Sequence, residues 1–185
     1  MQHKLSGHLL ERVVKVAVIG AGGTGSQVLL MLAQMAHALT ALGHPGFDVS
    51  VFDDDTVSTT NIGRQMFFPA DVGQSKAHVL VNRINLTMNT SWHAHQSRIN
   101  ASDRLAYDLV IGCVDTRLAR FNIMRAIELG TLGSTYWLDF GNRKDSGQAI
   151  LGQVTRSGRK TNRPDKLPHV GELFPEVIDP KIVDP

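Results

Sequence analysis

The sequence predicts an α/β protein with a Rossmann-like, mostly parallel sheet flanked by helices and an extended, Pro-rich C-terminal tail. Three observations carry that prediction. Short β-branched apolar runs alternate with segments of helical period, and the first such run stops at a glycine cluster. Beyond Arg156 the apolar periodicity fades, and five of the seven prolines fall between Pro164 and Pro185. The expected organisation is one domain over residues 1–155 and an extended crossover or linker over residues 156–185.

Each element follows from its local pattern. "VVKVAVIG" (13–20) reads as a buried parallel strand. From Thr24 to Leu42, apolar residues at Val28, Leu29, Leu32, Met35, Ala36, Leu39 and Leu42 recur at the spacing of one helical face until "GHPG" breaks the pattern. "DVSVFDD" (48–54) supplies a second strand. Asp71 to about Met88 reads as a helix with Val72, Val79, Leu80, Ile84 and Met88 on its buried side. "SWHAHQSRI" alternates loosely, "YDLVIGCVD" (107–115) is another apolar strand, and Thr116 to Leu129 is helical until Gly130 ends it. "TYWLDFGN" and "QAILGQV" complete the strand candidates. In open parallel sheets of this kind, ligands bind beyond the C-terminal strand ends.

Composition removes several classes of function. Nineteen Lys and Arg against 17 Asp and Glu leave a net charge of +2, too slight for the basic field that non-specific nucleic-acid binding requires. The single Cys113 permits neither an internal disulfide nor a zinc ribbon, which fits a reducing, cytoplasmic setting. No run approaches the ~18 apolar residues needed to span a bilayer. His93 and His95 share a strand face without a third ligand nearby, so they read as solvent-facing residues. The basic cluster Arg156, Arg159, Lys160, Arg163 and Lys166 reads as a solvated loop.

The chemistry concentrates in four stretches. "GAGGTG" (20–25) places Gly20, Gly22, Gly23 and Gly25 between the first strand and the first long helix, with G-x-G-x-x-G spacing. There the backbone can turn tightly and present N–H groups to phosphate oxygens. Asp53 follows the second strand, where a carboxylate accepts hydrogen bonds from ribose hydroxyls in ATP and NAD sites alike. Asn61, Arg64, Gln65 and Lys76 come next. One helical turn after Asp55 would put Asn61 and Arg64 on one face. Cations near phosphates suit reaction at phosphorus and are not needed for hydride transfer. Asp115, past "LVIGCV", is either a Mg2+ ligand at a strand end or, with Thr116, the cap of the next helix. Cys113 lies inside that apolar run and reads as a core thiol.

With these residues assembled, the chain resembles the ThiF/MoeB/HesA family, the relatives of ubiquitin-activating enzymes. "GAGGTG", Asp53 in "DDDTV", "NIGRQ", "DVGQSKA" with Lys76, and "CVD" with Asp115 occur in the family's order over about residues 13–154. The long first helix and its "GHPG" end look like the ThiF-type proteins of PRTRC systems. The resemblance implies ATP- and Mg2+-dependent adenylation of the C-terminal carboxylate of a ubiquitin-like or sulfur-carrier protein ending in Gly-Gly. On that pattern Asp53 binds ribose, Asn61, Arg64 and Lys76 engage phosphates, Gln65 supports them, and Asp115 holds Mg2+. Asp55 organises the turn or the metal surroundings. Homodimerisation is a further expectation, although the family's N-terminal arginine that reaches the partner's nucleotide is not recognisable in "HLLERVV", where Arg12 stands only near its position. The family's zinc cysteines and thioester cysteine have no counterpart here. The chain stops about where the segment leading to the latter begins, as a piece of a longer protein would. An NAD-dependent oxidoreductase, resting on the glycines and Asp53, and a non-catalytic nucleotide-binding module are the competing functions.

Overall fold

The computed structural model describes residues 3–142, 147–156, 166–182 and 184. They divide into two compact units, one of residues 7–98 and one that joins residues 99 onward to the first six.

The unit of residues 7–98 opens with a four-residue helix, α1 (His8–Glu11), followed by β1 (Val14–Ile19), α2 (Gly23–Ala41), β2 (Phe47–Phe52), α3 (Lys76–Met88) and β3 (His93–His95). Its strands run parallel in the order β3-β2-β1, with Val16 opposite Val49 and Val18 opposite Val51. These four valines are fully buried, which is why both strands read as unbroken apolar runs. The buried face of α2 is Gly25, Ser26, Leu29, Leu32, Ala33 and Ala36. Met35 and Leu42, expected on that face, are 46% and 84% exposed, because the stripe advances from 29 to 32, 33 and 36 and passes them by. Gly43 and Gly46 both take positive φ at the end of α2, as "GHPG" suggested.

The third helix of this unit, α3, starts later than the pattern indicated. Asp71 closes a separate 3-10 turn (Pro69–Asp71), Gly73 takes φ 86°, and α3 begins at Lys76 with Ser75 as its cap. Val72 is consequently exposed and not part of the helix face. Asp71 Oδ2 accepts hydrogen bonds from the Phe68 N–H at 2.7 Å and Arg83 Nη2 at 2.8 Å. Burial acts to raise this carboxyl's pKa, but the Phe68 N–H and the Arg83 guanidinium outweigh it and hold it below the usual range. A depressed folded-state pKa gives stability that is present above the unfolded value and lost as pH falls through the folded one. Asp71→Asn is therefore expected to cost about 2 kcal/mol at pH 7. Denaturant melts should show the gap to the parent closing below about pH 4.

The other unit contains β4 (Leu109–Gly112), α4 (Arg117–Gly130), β5 (Ser134–Asn142), β6 (Gly147–Thr155) and a four-residue helix, α5 (Val170–Leu173). β4 and β5 are parallel, and β5 and β6 are antiparallel with Trp137 opposite Gly152. A connection of four residues is too short for a parallel return, which needs a crossover. β4 is shorter than the apolar run that announced it. Gly130 is the last residue of α4, not a residue beyond it, and its φ is not positive. Its role is close approach: a Cβ there would lie 2.4 Å from backbone atoms of Leu105. Residues 166–182, expected as an extended tail, carry α5 and a 3-10 turn (Pro175–Ile178). Arg159, Lys160 and Arg163 lie outside the described residues. The α/β, Rossmann-like, mostly parallel class thus holds across six strands with flanking helices. No described helix is long and apolar enough to cross a membrane.

Candidate functional site

The glycine loop leaves β1 through Gly20, whose φ of 96° favours a residue without Cβ, and whose N–H donates to Phe52 O at 2.9 Å. Gly22 is the N-cap of α2 and contributes no side-chain cap, and no acid occupies the first turn. A 19-residue helix thus points the positive end of its dipole at this loop. A Cβ on Gly22 would meet nothing closer than Gln65 Nε2 at 3.9 Å, and one on Gly23 nothing closer than Arg64 O, also at 3.9 Å. Internal packing does not demand glycine at either position, whereas an anion approaching the N–H groups does. Gln65 Oε1 is buried beside the loop without a hydrogen-bond partner, an acceptor that a ligand's donor could satisfy.

Asp53 ties the loop to the turn after β2. Its Oδ2 accepts from the Ala21 N–H at 2.6 Å and its Oδ1 from the Asp55 N–H at 2.9 Å. Burial pushes the carboxyl's pKa up, opposed by those two N–H bonds and by Lys76. Each oxygen keeps a second lone-pair direction for a ribose hydroxyl. Lys76, the first residue of α3, is 7% exposed and gives Nζ to Asp55 Oδ2 at 2.8 Å, while its own N–H donates to Asp55 O at 3.1 Å. Asp55 thus organises the turn by seating this lysine. Asp54 pairs with Arg98 at 2.6 Å, and carboxylate oxygens of Asp53, Asp54 and Asp55 lie within 4.8 Å of one another.

The stretch "NIGRQ" departs from the single helical turn expected of it. A 3-10 turn covers Thr59–Asn61 and stops there: Ile62 is extended and Gly63 takes φ 79°. Asn61 and Arg64 therefore do not share a helix face. Asn61 is buried, and its Oδ1 accepts from the Ser58 N–H at 2.9 Å and Ser58 Oγ at 3.1 Å. Its carbonyl shapes the turn, so only its amide nitrogen remains for a phosphate. Arg64 is exposed, with Nε donating to Thr60 O at 2.9 Å. Glycine loop, Asp53, Asp55, Asn61, Arg64, Gln65 and Lys76 all belong to the unit of residues 7–98.

Asp115 belongs to the other unit, three residues past β4, and is exposed. Thr116 Oγ1 accepts from the Ala119 N–H at 3.2 Å and caps α4, so Asp115 is not the N-cap. An exposed carboxylate oxygen suits a hard cation such as Mg2+. Burial, with the Asp139 and Asp115 carboxylates adding to it, pushes the Cys113 thiol up to about 12. Cys113 is expected to resist iodoacetamide at pH 8 in the folded protein and to react once guanidinium unfolds it. Labelling of the native protein at the unfolded rate would contradict this.

Two residues escaped the sequence pattern. Arg120 on α4 and Asp139 on β5 form an ion pair, Nε to Oδ2 3.0 Å, with Asp139 fully buried. The available signals were a carboxylate inside the apolar run "YWLDF" and an arginine in step with the buried Ile123 and Ile127.

The glycine-loop helix end, the acid past the second strand and the parallel strands form the arrangement in which α/β proteins of this class bind ligands. Residues 7–133 match the ThiF family model, and the chain belongs to that family. It is 31% identical over 157 residues to the adenylyltransferase and sulfurtransferase UBA4 of Vanderwaltozyma polyspora, covering 77% of this chain and 34% of the relative. It is 36% identical over 117 residues to the NEDD8-activating enzyme E1 catalytic subunit of Dictyostelium discoideum, covering 60% and 24%. The chain spans about a third or less of the length of these curated relatives. Among solved structures, E. coli MccB with succinimide superposes with a TM-score of 0.58 at 22% identity, covering 78% of this chain and 42% of that one. E. coli tRNA N6-threonylcarbamoyladenosine dehydratase, TcdA, in complex with ATP gives 0.51 at 23%, covering 64% and 49%. These likenesses concern the fold.

Proposed function

We propose that this chain adenylates the C-terminal carboxylate of a ubiquitin-like or sulfur-carrier protein, using ATP and Mg2+. One observation carries the reading: the segment next to the uncapped phosphate-type loop is Arg64–Gln65, with Arg64 O and Gln65 Nε2 the nearest atoms to where Gly23 and Gly22 side chains would begin. The backbone of Arg64 thus lies beside the loop, and its side chain, exposed and held through Nε by Thr60 O, is the cation that would serve reaction at phosphorus there. A carrier carboxylate is already ionised at neutral pH, so attack needs no general base. Its oxygen bonds the α-phosphorus as the bond to the bridging oxygen breaks, and pyrophosphate leaves with that electron pair. The protein's part is to position the reactants and to neutralise phosphate charge. Asp53 orients the ribose, the N–H groups of residues 22–25 hold phosphate oxygens, and Arg64 and Lys76 offset the charge on the leaving group. Asp115 would hold Mg2+, which when bound supplies further charge neutralisation at the phosphates.

The same reading includes a carrier ending in Gly-Gly, a second copy of the chain as dimer partner, a cytoplasmic setting and the PRTRC-type subfamily. The test is exchange of labelled pyrophosphate into ATP, dependent on Mg2+ and on a Gly-Gly-ending carrier encoded beside this chain. Exchange with that carrier, lost in Arg64→Ala, supports the proposal; no exchange with it rejects the proposal. Gly23→Ala is expected to leave stability within about 0.5 kcal/mol of the parent, since the new methyl meets only ordinary contacts. It should weaken ATP binding about tenfold by crowding the loop, as calorimetric titration will read.

A further inference from the structure

We propose that Arg120, braced by Asp139, is the positioning residue for Asp115, holding the loop that presents this carboxylate. The inference rests on the role given to Asp115 above. Arg120 is 7% exposed and directs every one of its side-chain nitrogens into one small region. Nε donates to both carboxylate oxygens of Asp139, at 3.2 and 3.0 Å. Nη2 donates to Val114 O at 2.8 Å and to Phe140 O at 3.3 Å, and Nη1 to Asp115 O at 3.4 Å. The guanidinium therefore links the chain leaving β4 to β5 through three carbonyls and a carboxylate. The Val114 and Asp115 carbonyls lie just before and at the exposed carboxylate, and the helix cap next to it is supplied independently by Thr116.

Stability alone does not account for these residue types. A buried ion pair loses in desolvation much of what it gains in attraction, and an apolar pair of similar volume often serves folding as well. The planar fork does what no apolar side chain can, which is to fix several carbonyls at once. Room for the pair is left by Gly112: a Cβ there would press on Asp139 Oδ1 and Trp137 Nε1, each at 3.2 Å.

The test measures ATP binding by titration calorimetry, with Mg2+ and with chelator, in the parent, Asp115→Asn, Arg120→Met, Arg120→Lys and the Asp115→Asn/Arg120→Met double variant. The parent should gain affinity on adding Mg2+, and Asp115→Asn should lose that gain. Arg120→Met should reduce the gain about tenfold while leaving Mg2+-free affinity unchanged. Arg120→Lys, which keeps the charge but not the fork, should stay impaired, and the double variant should lose no more than Asp115→Asn alone. If Arg120→Met does not fold, Asp139→Asn, of equal volume, carries the same expectation. A Mg2+ gain that Asp115→Asn abolishes and the folded Arg120 or Asp139 variant keeps overturns the positioning role alone. A parent without any Mg2+ gain overturns the role of Asp115 and the positioning role with it.

Discussion

Asp53→Ala is expected to weaken ATP binding by about 30-fold or more, the equivalent of one or two lost hydrogen bonds to a charged acceptor. The effect is large because the carboxylate joins three parts of the site. Its Oδ2 fixes the Ala21 N–H inside the glycine loop, and its Oδ1 fixes the Asp55 N–H, whose own side chain seats Lys76. Removing it frees the loop, loosens the lysine and deletes the ribose acceptor together. Asp53→Asn should recover only part of the loss, because an amide offers one acceptor oxygen where the carboxylate uses two, and its NH2 would face an N–H donor. Titration of ATP into the three proteins gives the order parent, Asn, Ala. An Asp53→Ala variant that binds like the parent would remove Asp53 from the site.

Gly152→Ala should be the most damaging conservative change outside the site, costing about 3 kcal/mol. A Cβ on Gly152 would lie 2.2 Å from His169 Cα and 2.6 Å from Pro168 O, and backbone cannot yield as a side-chain tip can. β6 holds the following segment through main-chain bonds at this point: the Gln153 N–H donates to Leu167 O at 2.9 Å, and the Leu167 N–H to Gln153 Oε1 at 3.1 Å. Displacement of residues 167–169 should appear as faster proteolysis of the C-terminal segment and an earlier denaturant midpoint. Unchanged melting would show that the segment is not held against β6 as described.

The contrast between Gly23 and Gly152 explains much of what the sequence could and could not disclose. A phosphate-type glycine announces itself by its neighbours, a strand before and a helix after, so the loop was legible. Gly130 and Gly152 are fixed by backbone distant in sequence, and no local pattern records that. Strands buried on both faces, such as β1, were plain because nothing polar interrupts them. The turn after β2 differs in detail from the helical turn its sequence suggests: one positive-φ residue, Gly63, separates Asn61 from Arg64, and Asn61 spends its side-chain carbonyl oxygen on Ser58. The start of α3 moved for a similar reason, since Asp71 has its own local task with Phe68 and Arg83. The pairing of Arg120 with Asp139 joins a helix to a strand and became visible only with the fold.

The central claim is that residues 20–25, Asp53 and the Arg64–Lys76 stretch form an ATP site used for reaction at phosphorus. Parallel calorimetric titrations with ATP and with NAD test it most directly. Saturable ATP binding that Asp53→Ala and Gly23→Ala both weaken, with no comparable binding of NAD, is the predicted result. Tighter binding of NAD, or ATP binding indifferent to both substitutions, would contradict it.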